Sequence, residues 1–135
     1  MKRFSIKPIG YIRSELKRRD DAPRQGSEGA PDALVEVLPS YRKALRGMRV
    51  GDEIIVITWL DRARRNLLKV RPRNDRSRSL TGVFSTRSPD RPNPLGLHRV
   101  KVLKMNRSRL CVGPMEAIDG TPVVDIKPVL ASTES

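Results

Sequence analysis

Residues Ser85 to Gly96 read STRSPDRPNPLG, with prolines at 89, 92 and 94 and arginines at 87 and 91. Each residue ahead of a proline is pushed out of the helical region, and each proline fixes its own φ. Ser88, Arg91 and Asn93 are therefore expected to be extended, and the stretch becomes a semi-rigid, polyproline-like rail. Two guanidinium groups then ride on a frame that has little freedom left to lose. Such presentation lowers the entropy cost of gripping an anion, and the planar fork of arginine matches a carboxylate or a phosphate. Gly96 leaves room for a backbone or a ligand to come close. A second reading stands beside this one: a stiff turn tying two strands together, its arginines facing water.

Other chemistry is thinly supplied. One His and one Cys cannot furnish a zinc set and the carboxylates show no ligand spacing, so no metal is expected. Cys111, in RLCVG, has no partner for an internal disulfide and reads as a small core residue, which fits a reducing compartment. A nucleophile-histidine engine would depend wholly on His98, which lies in LHRVKV and reads as a surface or groove histidine. Nothing resembles the GxxxxGK[ST] or GxGxxG phosphate loops. The aromatics are Phe4, Tyr11, Tyr41, Trp59 and Phe84, most at positions a small core would claim, which disfavours a barrel that stacks single-stranded bases.

Charge is more informative. The chain of 135 residues carries 28 Lys and Arg against 15 Asp and Glu, a net +13. Between Arg62 and Arg109 there are 15 basic residues and two acids, Asp75 and Asp90, while the remainder balances at 13 of each, so the entire excess sits in one segment. A focused positive field draws polyanions and gives salt-dependent binding, which points to nucleic acid; the alternative is a solvated basic face that serves solubility. The longest unbroken apolar stretch is IIVI, Ile54 to Ile57, and MKRFSIKPIG has no apolar block of a secretion signal. A soluble, cytoplasmic protein without membrane contact is expected.

The elements that must position these residues are mostly strands. Arg3 to Ser14 reads as an edge strand with a bulge at Pro8 and Gly10, followed by a long polar loop through PRQG. ALVEVL is a short strand. PSYRKALRGM is a short helix with Ser40 as its cap, Tyr41, Ala44, Leu45 and Met48 at helical spacing, and Gly47 as its stop. DEIIVITWL is apolar on both faces: either a central strand covered on both sides, or one that lines a barrel and a subunit contact at once. An arginine-rich loop leads to a strand in LTGVFST. In LHRVKVLKM, Val100 and Val102 point inward until the phase changes at Leu103 and Met105, which predicts a bulge. RLCVG and TPVVDIKPVL complete the set, with residues 131–135 a frayed tail. Six or seven short strands and one short helix in 135 residues imply a single mainly β domain, a barrel or a sandwich.

PIGYIRS, PRQG, LTGVFSTRSPDRPNPLGL and IDGTPVVDIKP occur in this order and resemble the signature segments of the TsaA/TrmO-like family, also called YaeB-like or VirR-like. The resemblance runs from Pro8 to Pro128. It implies a single-sheet β-barrel with long loops that binds S-adenosylmethionine as a homodimer. It also implies a methyltransferase acting on N6 of the threonylcarbamoyl-adenosine beside the tRNA anticodon. Matched residue by residue, it implies that Arg24, Gln25 and Gly26 help enclose the cofactor and that Arg87 and Leu97 belong to its pocket. Glu116, Ala117, Ile118 and Asp119 would present backbone groups to it. Asp61 and Arg62 fall where many members carry a His followed by a polar residue, so this chain departs from the pattern at Asp61. Methyl transfer from a sulfonium depends chiefly on positioning. Removing the proton of an acylated N6 nevertheless calls for an acceptor, and Asp61, Asp119 and Tyr41 are the candidates. Arg62, Arg64, Arg65, Arg71, Arg73 and Arg91 are the residues expected to meet RNA or substrate. Two other functions stay open: a cofactor- or RNA-binding barrel without transferase activity, and a methyltransferase for a small molecule.

Overall fold

A computed structural model of the chain describes residues 1–23 and 29–131. It has eight strands: β1 (Gly10–Arg13), β2 (Ala33–Val37), β3 (Glu53–Trp59), β4 (Lys69–Val70), β5 (Thr81–Gly82), β6 (Leu95–Asn106), β7 (Arg109–Gly113) and β8 (Pro122–Pro128). Six of them close into an antiparallel barrel in the order β1-β2-β7-β6-β3-β8, and β4 pairs with β5 as a separate ribbon. No helix among the described residues is long and apolar enough to cross a membrane. Of the tail expected at 131–135, residues 132–135 lie outside the described residues.

Alternation builds the interior. β2 turns Ala33, Val35 and Val37 inward, β3 turns Ile54, Val56 and Thr58, and β7 turns Leu110 and Val112. Side chains of this size fill a six-stranded barrel, and Leu45, Met115 and Ala117 from the connections add to the same core. Where β1 crosses β2, a Cβ on Gly10 would collide with the Glu36 carbonyl, so only glycine permits that crossing. The phase change expected after Val102 is present: the register of β6 against β7 slips between Val102 and Lys104, leaving Leu103 as the bulged residue. Of the two readings of β3, the covered central strand gives way to a barrel stave. Its inner face is buried, and Ile55, Ile57 and Trp59 on the other face are half-exposed.

Several local expectations are corrected. The segment read as an edge strand is no edge, because β1 pairs with β2 on one side and β8 on the other, and its pairing begins only at Gly10. The helix after β2 is a 3₁₀ helix, Pro39–Leu45, preceded by Leu38 with Pro39 in its first turn, so Ser40 is not its cap. Seven residues are too few to repay the nucleation of an α-helix, and the tighter winding prevails. LTGVFST is strand only at Thr81–Gly82, after which Val83–Ser85 winds into a 3₁₀ turn. Of the two readings of His98, surface or groove, the groove holds: it is 5% exposed, on the inward face of β6, and lines a cavity.

The β6–β7 hairpin turns through Arg107, whose φ is 56°. This left-handed conformation burdens any residue with a Cβ. Arg107→Gly is therefore expected to stabilise the protein by about 0.5–1 kcal/mol in urea unfolding; a loss of stability would mean that the arginine side chain contributes through its own interactions.

Candidate functional site

The cavity of about 840 Å³ lies beside the barrel mouth where β3 ends and β6 begins. Pro94 accepts the Leu60 amide at 2.8 Å and thereby fixes the exit of one strand against the entry of the other. Four stretches meet around the opening: the segment after β1, Leu60 to Ala63 after β3, the arginine-rich loop, and the proline loop. The start of β6 and the connection Glu116–Ile118 form the remaining wall.

The proline loop is braced by its own polar groups as much as by its prolines. Arg91 donates from Nε to the Ser88 carbonyl at 2.9 Å, and from Nη2 to the carbonyls of Thr86, at 2.6 Å, and of Val83. The Arg91 amide meets the Arg64 carbonyl at 3.0 Å. Asp90 answers by accepting the Arg64 amide at 2.8 Å and pairing with Arg19 at 2.8 Å. Arg65 donates to the Pro92 carbonyl at 2.8 Å and lies 4.9 Å from the centre of the Trp59 ring. Arg91 and Arg65 thus lock the rail, whereas Arg87, exposed and lining the cavity, has no hydrogen-bond or ionic partner among the described residues. The two loop arginines differ: Arg91 shapes the loop, and Arg87 lines the cavity.

Burial pushes the Asp90 carboxyl up, but the hydrogen bonds and charges of Arg19 and Arg64 outweigh it and hold the group below its ordinary value. A depressed carboxylate gives stability that is present above the unfolded value, near pH 4, and lost as pH falls through the lower folded one. Acidification from about pH 5 to about pH 2 should therefore lower the melting temperature, and Asp90→Asn should begin less stable and fall less. An equal fall in both proteins would place the acid sensitivity elsewhere.

At the cavity floor the inward face of β6 is polar. Gly96 lies opposite Thr58 in the ladder, and His98 is one inward position further along. Thr58 Oγ1 is 2.7 Å from His98 Nε2, and His98 Nδ1 is 2.6 Å from Glu116 Oε1. A Cβ on Gly96 would lie 2.6 Å from His98 Nε2 and closer still to Thr58 Oγ1. The close approach anticipated at Gly96 is thus made by this buried hydrogen bond.

Of the residues singled out in the sequence, the cavity brings together Asp61, Arg62, Arg71, Arg73, Arg87, Arg91, Leu97, Glu116, Ala117 and Ile118. Arg24, Gln25 and Gly26 lie outside the described residues. Arg64 and Arg65 stand behind the loop, not in the cavity wall. Tyr41 packs against the barrel core. Asp119 lines a separate shallow concavity with Arg13, Lys17 and Cys111. The Ser14 amide, followed by Lys17, draws the Asp119 carboxyl below its ordinary value. Among the further residues lining the cavity, to which the sequence reading gave no site role, are His98, Leu60 and Phe84, which is 85% exposed at the rim. Alternation along β6 carried the signal for His98, since the period that buries Val100 and Val102 also buries position 98. Among the described residues no group of three or more His, Cys, Asp or Glu could hold a metal ion.

Residues 11–135 match the profile of the tRNA-methyltransferase O N-terminal domain. A probable S-adenosyl-L-methionine-binding protein of Methanothermobacter thermautotrophicus is 42% identical over 130 residues, covering 96% of this chain and 93% of that protein. An S-adenosyl-L-methionine-binding protein of Archaeoglobus fulgidus is 42% identical over 122 residues, covering 90% of this chain and 86% of the relative. The crystal structure of TrmO from Pseudomonas aeruginosa superposes with a TM-score of 0.76 at 30% identity, covering 99% of this chain. Another TrmO crystal structure does so with 0.77 at 33% identity, also covering 99%. This chain spans 60% and 62% of the length of those two solved chains. By the profile match over nearly its whole length and by these relatives, the chain belongs to the TrmO N-terminal-domain family.

Proposed function

We propose that this protein is an S-adenosylmethionine-dependent methyltransferase acting on N6 of threonylcarbamoyl-adenosine in tRNA, working as a cytoplasmic homodimer. The observation that carries the reading is Arg87, without a partner among the described residues, on a braced loop that lines the same cavity as Asp61, Leu97 and the Glu116–Ile118 connection. These are the positions that the family resemblance assigns to the methyl donor, and they are drawn from four separated parts of the chain.

The cavity fits such a molecule. Its volume lies in the range of about 300–1,000 Å³ that small-molecule sites occupy. Arg87 offers a fork for a carboxylate, and Leu95, Leu97 and Ile118 offer apolar surface for a flat base. The bound donor supplies a methyl group on a cationic sulfur to a nucleophilic nitrogen. Arg87 would orient the donor and the rail would keep that orientation, while Arg62, Arg71, Arg73 and Arg78 at the rim favour a phosphate-rich substrate.

Two measurements test this. Melting with and without S-adenosylmethionine should show a donor-dependent rise. Labelled methyl transfer should appear with tRNA that carries the threonylcarbamoyl group and not with tRNA that lacks it. A melting shift without transfer to either tRNA would favour the donor-binding reading that the names of the relatives express. Transfer to small molecules alone would overturn the RNA reading. Neutralising Arg62, Arg64, Arg71 and Arg73 together should reduce the slope of log K against log salt by about 0.7–0.9 for each phosphate that is no longer neutralised. An unchanged slope would place the RNA on another face.

A further inference from the structure

We propose that the Glu116 side chain takes the proton from the nitrogen that is methylated, and that His98 positions it. The inference rests on the methyltransferase reading above and supplies the acceptor that this chemistry needs. The family resemblance gives Glu116 a role only through its backbone, and gives His98 none.

Among the described residues four carboxylates line the cavity: Asp20, Asp61, Asp90 and Glu116. Asp90 is committed on both oxygens, to Arg19 and to the Arg64 amide. Asp20 and Asp61 are exposed, where water competes for every contact and the side chains keep their rotamer freedom. Glu116 differs from all three. Its side chain is 16% exposed, Oε1 is anchored 2.6 Å from His98 Nδ1, and Oε2 has no hydrogen-bond partner among the described residues. No buried side-chain oxygen among the described residues is left unpartnered, so this free oxygen is open to the cavity.

The anchor is itself held. His98 is 5% exposed and Thr58 is fully buried, with Thr58 Oγ1 2.7 Å from His98 Nε2. A neutral imidazole satisfies both contacts in one way: Nδ1–H donates to the carboxylate, and Nε2 accepts the Thr58 hydroxyl proton. Carboxylate, imidazole and hydroxyl then form a rigid line that fixes one oxygen of Glu116 and aims the other. Thr58 has no access to solvent, so it is no nucleophile; the line works toward Glu116. A preoriented acceptor matters because an acylated exocyclic nitrogen has little lone-pair density until its proton leaves. In the step, the N–C bond forms as the S–C bond breaks and the sulfur keeps the electron pair. The proton passes from nitrogen to Glu116 Oε2 and from there to water.

Glu116→Gln is nearly isosteric and keeps an oxygen for His98 while losing its basicity. In the full-length protein this variant should bind S-adenosylmethionine within about threefold of wild type by calorimetry, while single-turnover methyl transfer to threonylcarbamoylated tRNA falls by about 10²–10⁴-fold. His98→Asn keeps a donor near the position of Nδ1, and His98→Leu removes it. The rate should follow wild type, then Asn, then Leu, with KM for tRNA unchanged. A readout independent of turnover is the imidazole Nδ1–H proton in the NMR spectrum of the free protein. It should be protected from exchange in wild type and should move upfield in Glu116→Gln as the acceptor loses its charge. A Glu116→Gln enzyme within about tenfold of wild type would overturn the acceptor, and an Asn variant no better than Leu, or an unprotected Nδ1–H, would overturn the positioning. Absence of transfer by wild type itself would overturn the methyltransferase reading and this inference together.

Discussion

Arg87→Ala is expected to melt as wild type does and to bind S-adenosylmethionine about 10- to 100-fold more weakly. The guanidinium is exposed and makes no hydrogen bond or ion pair among the described residues, so its removal leaves none of their groups unsatisfied. A hydrogen bond to a charged ligand is worth about 1.5–3 kcal/mol, and each 1.4 kcal/mol is tenfold in affinity. The neighbouring arginine should behave in the opposite way. Arg91→Ala removes the Arg91 donor from the carbonyls of Thr86 and Ser88 and one of the three donors to the Val83 carbonyl, and its first effect is a lower melting temperature, with weaker donor binding following from a loosened loop. Calorimetry and melting on the two single variants separate the roles. Equal affinity in Arg87→Ala and wild type would remove Arg87 from the site.

Gly96→Ala should be among the most damaging single-methyl changes in the protein, at about 2–5 kcal/mol. The added Cβ would overlap Thr58 Oγ1 and lie 2.6 Å from His98 Nε2, so the pair must part. Overpacking costs about 1–3 kcal/mol, and leaving a buried polar group without its partner costs about as much again. Thr58 sits in the barrel wall between β6 and β8, where backbone shifts propagate. Urea unfolding reads the loss directly. A cost under about 1 kcal/mol would show that the Thr58–His98 contact is not held in the folded protein.

How far these features could be read from the sequence depended on the range of the forces that set them. Local alternation was legible: it placed Val100 and Val102 inward and located the bulge at Leu103, because a phase change in a period-2 pattern has one local cause. The strands were legible for the same reason, though their residues alone left a barrel and a sandwich both open. Closure was not. β1 looked like an edge because nothing near Gly10 in sequence announces β8, its second partner, which pairs with it through Pro122 and Val123 at the far end of the chain. The short helix took 3₁₀ form through its leading Pro39 and its brevity, both visible in sequence yet masked by the helical spacing of Tyr41, Leu45 and Met48. The site was legible in its members and not in their roles. Arg87 and Arg91 share one loop and one chemistry, and only the carbonyl cage built by Val83, Thr86 and Ser88 tells them apart. Asp119 and Tyr41 had suitable chemistry, but the chain turns them toward another concavity and toward the core. His98 and Glu116 are 18 residues apart and meet only because the barrel folds β6 against the following connection.

The most direct test of a methyl-donor cavity beneath the proline loop is a crystal structure grown with S-adenosylmethionine. The account predicts donor density inside the cavity bounded by Arg87, Leu97 and Glu116, with its carboxylate on the Arg87 guanidinium. Density in the concavity of Arg13, Lys17 and Cys111, or anywhere else away from residues 85 to 97, would contradict it.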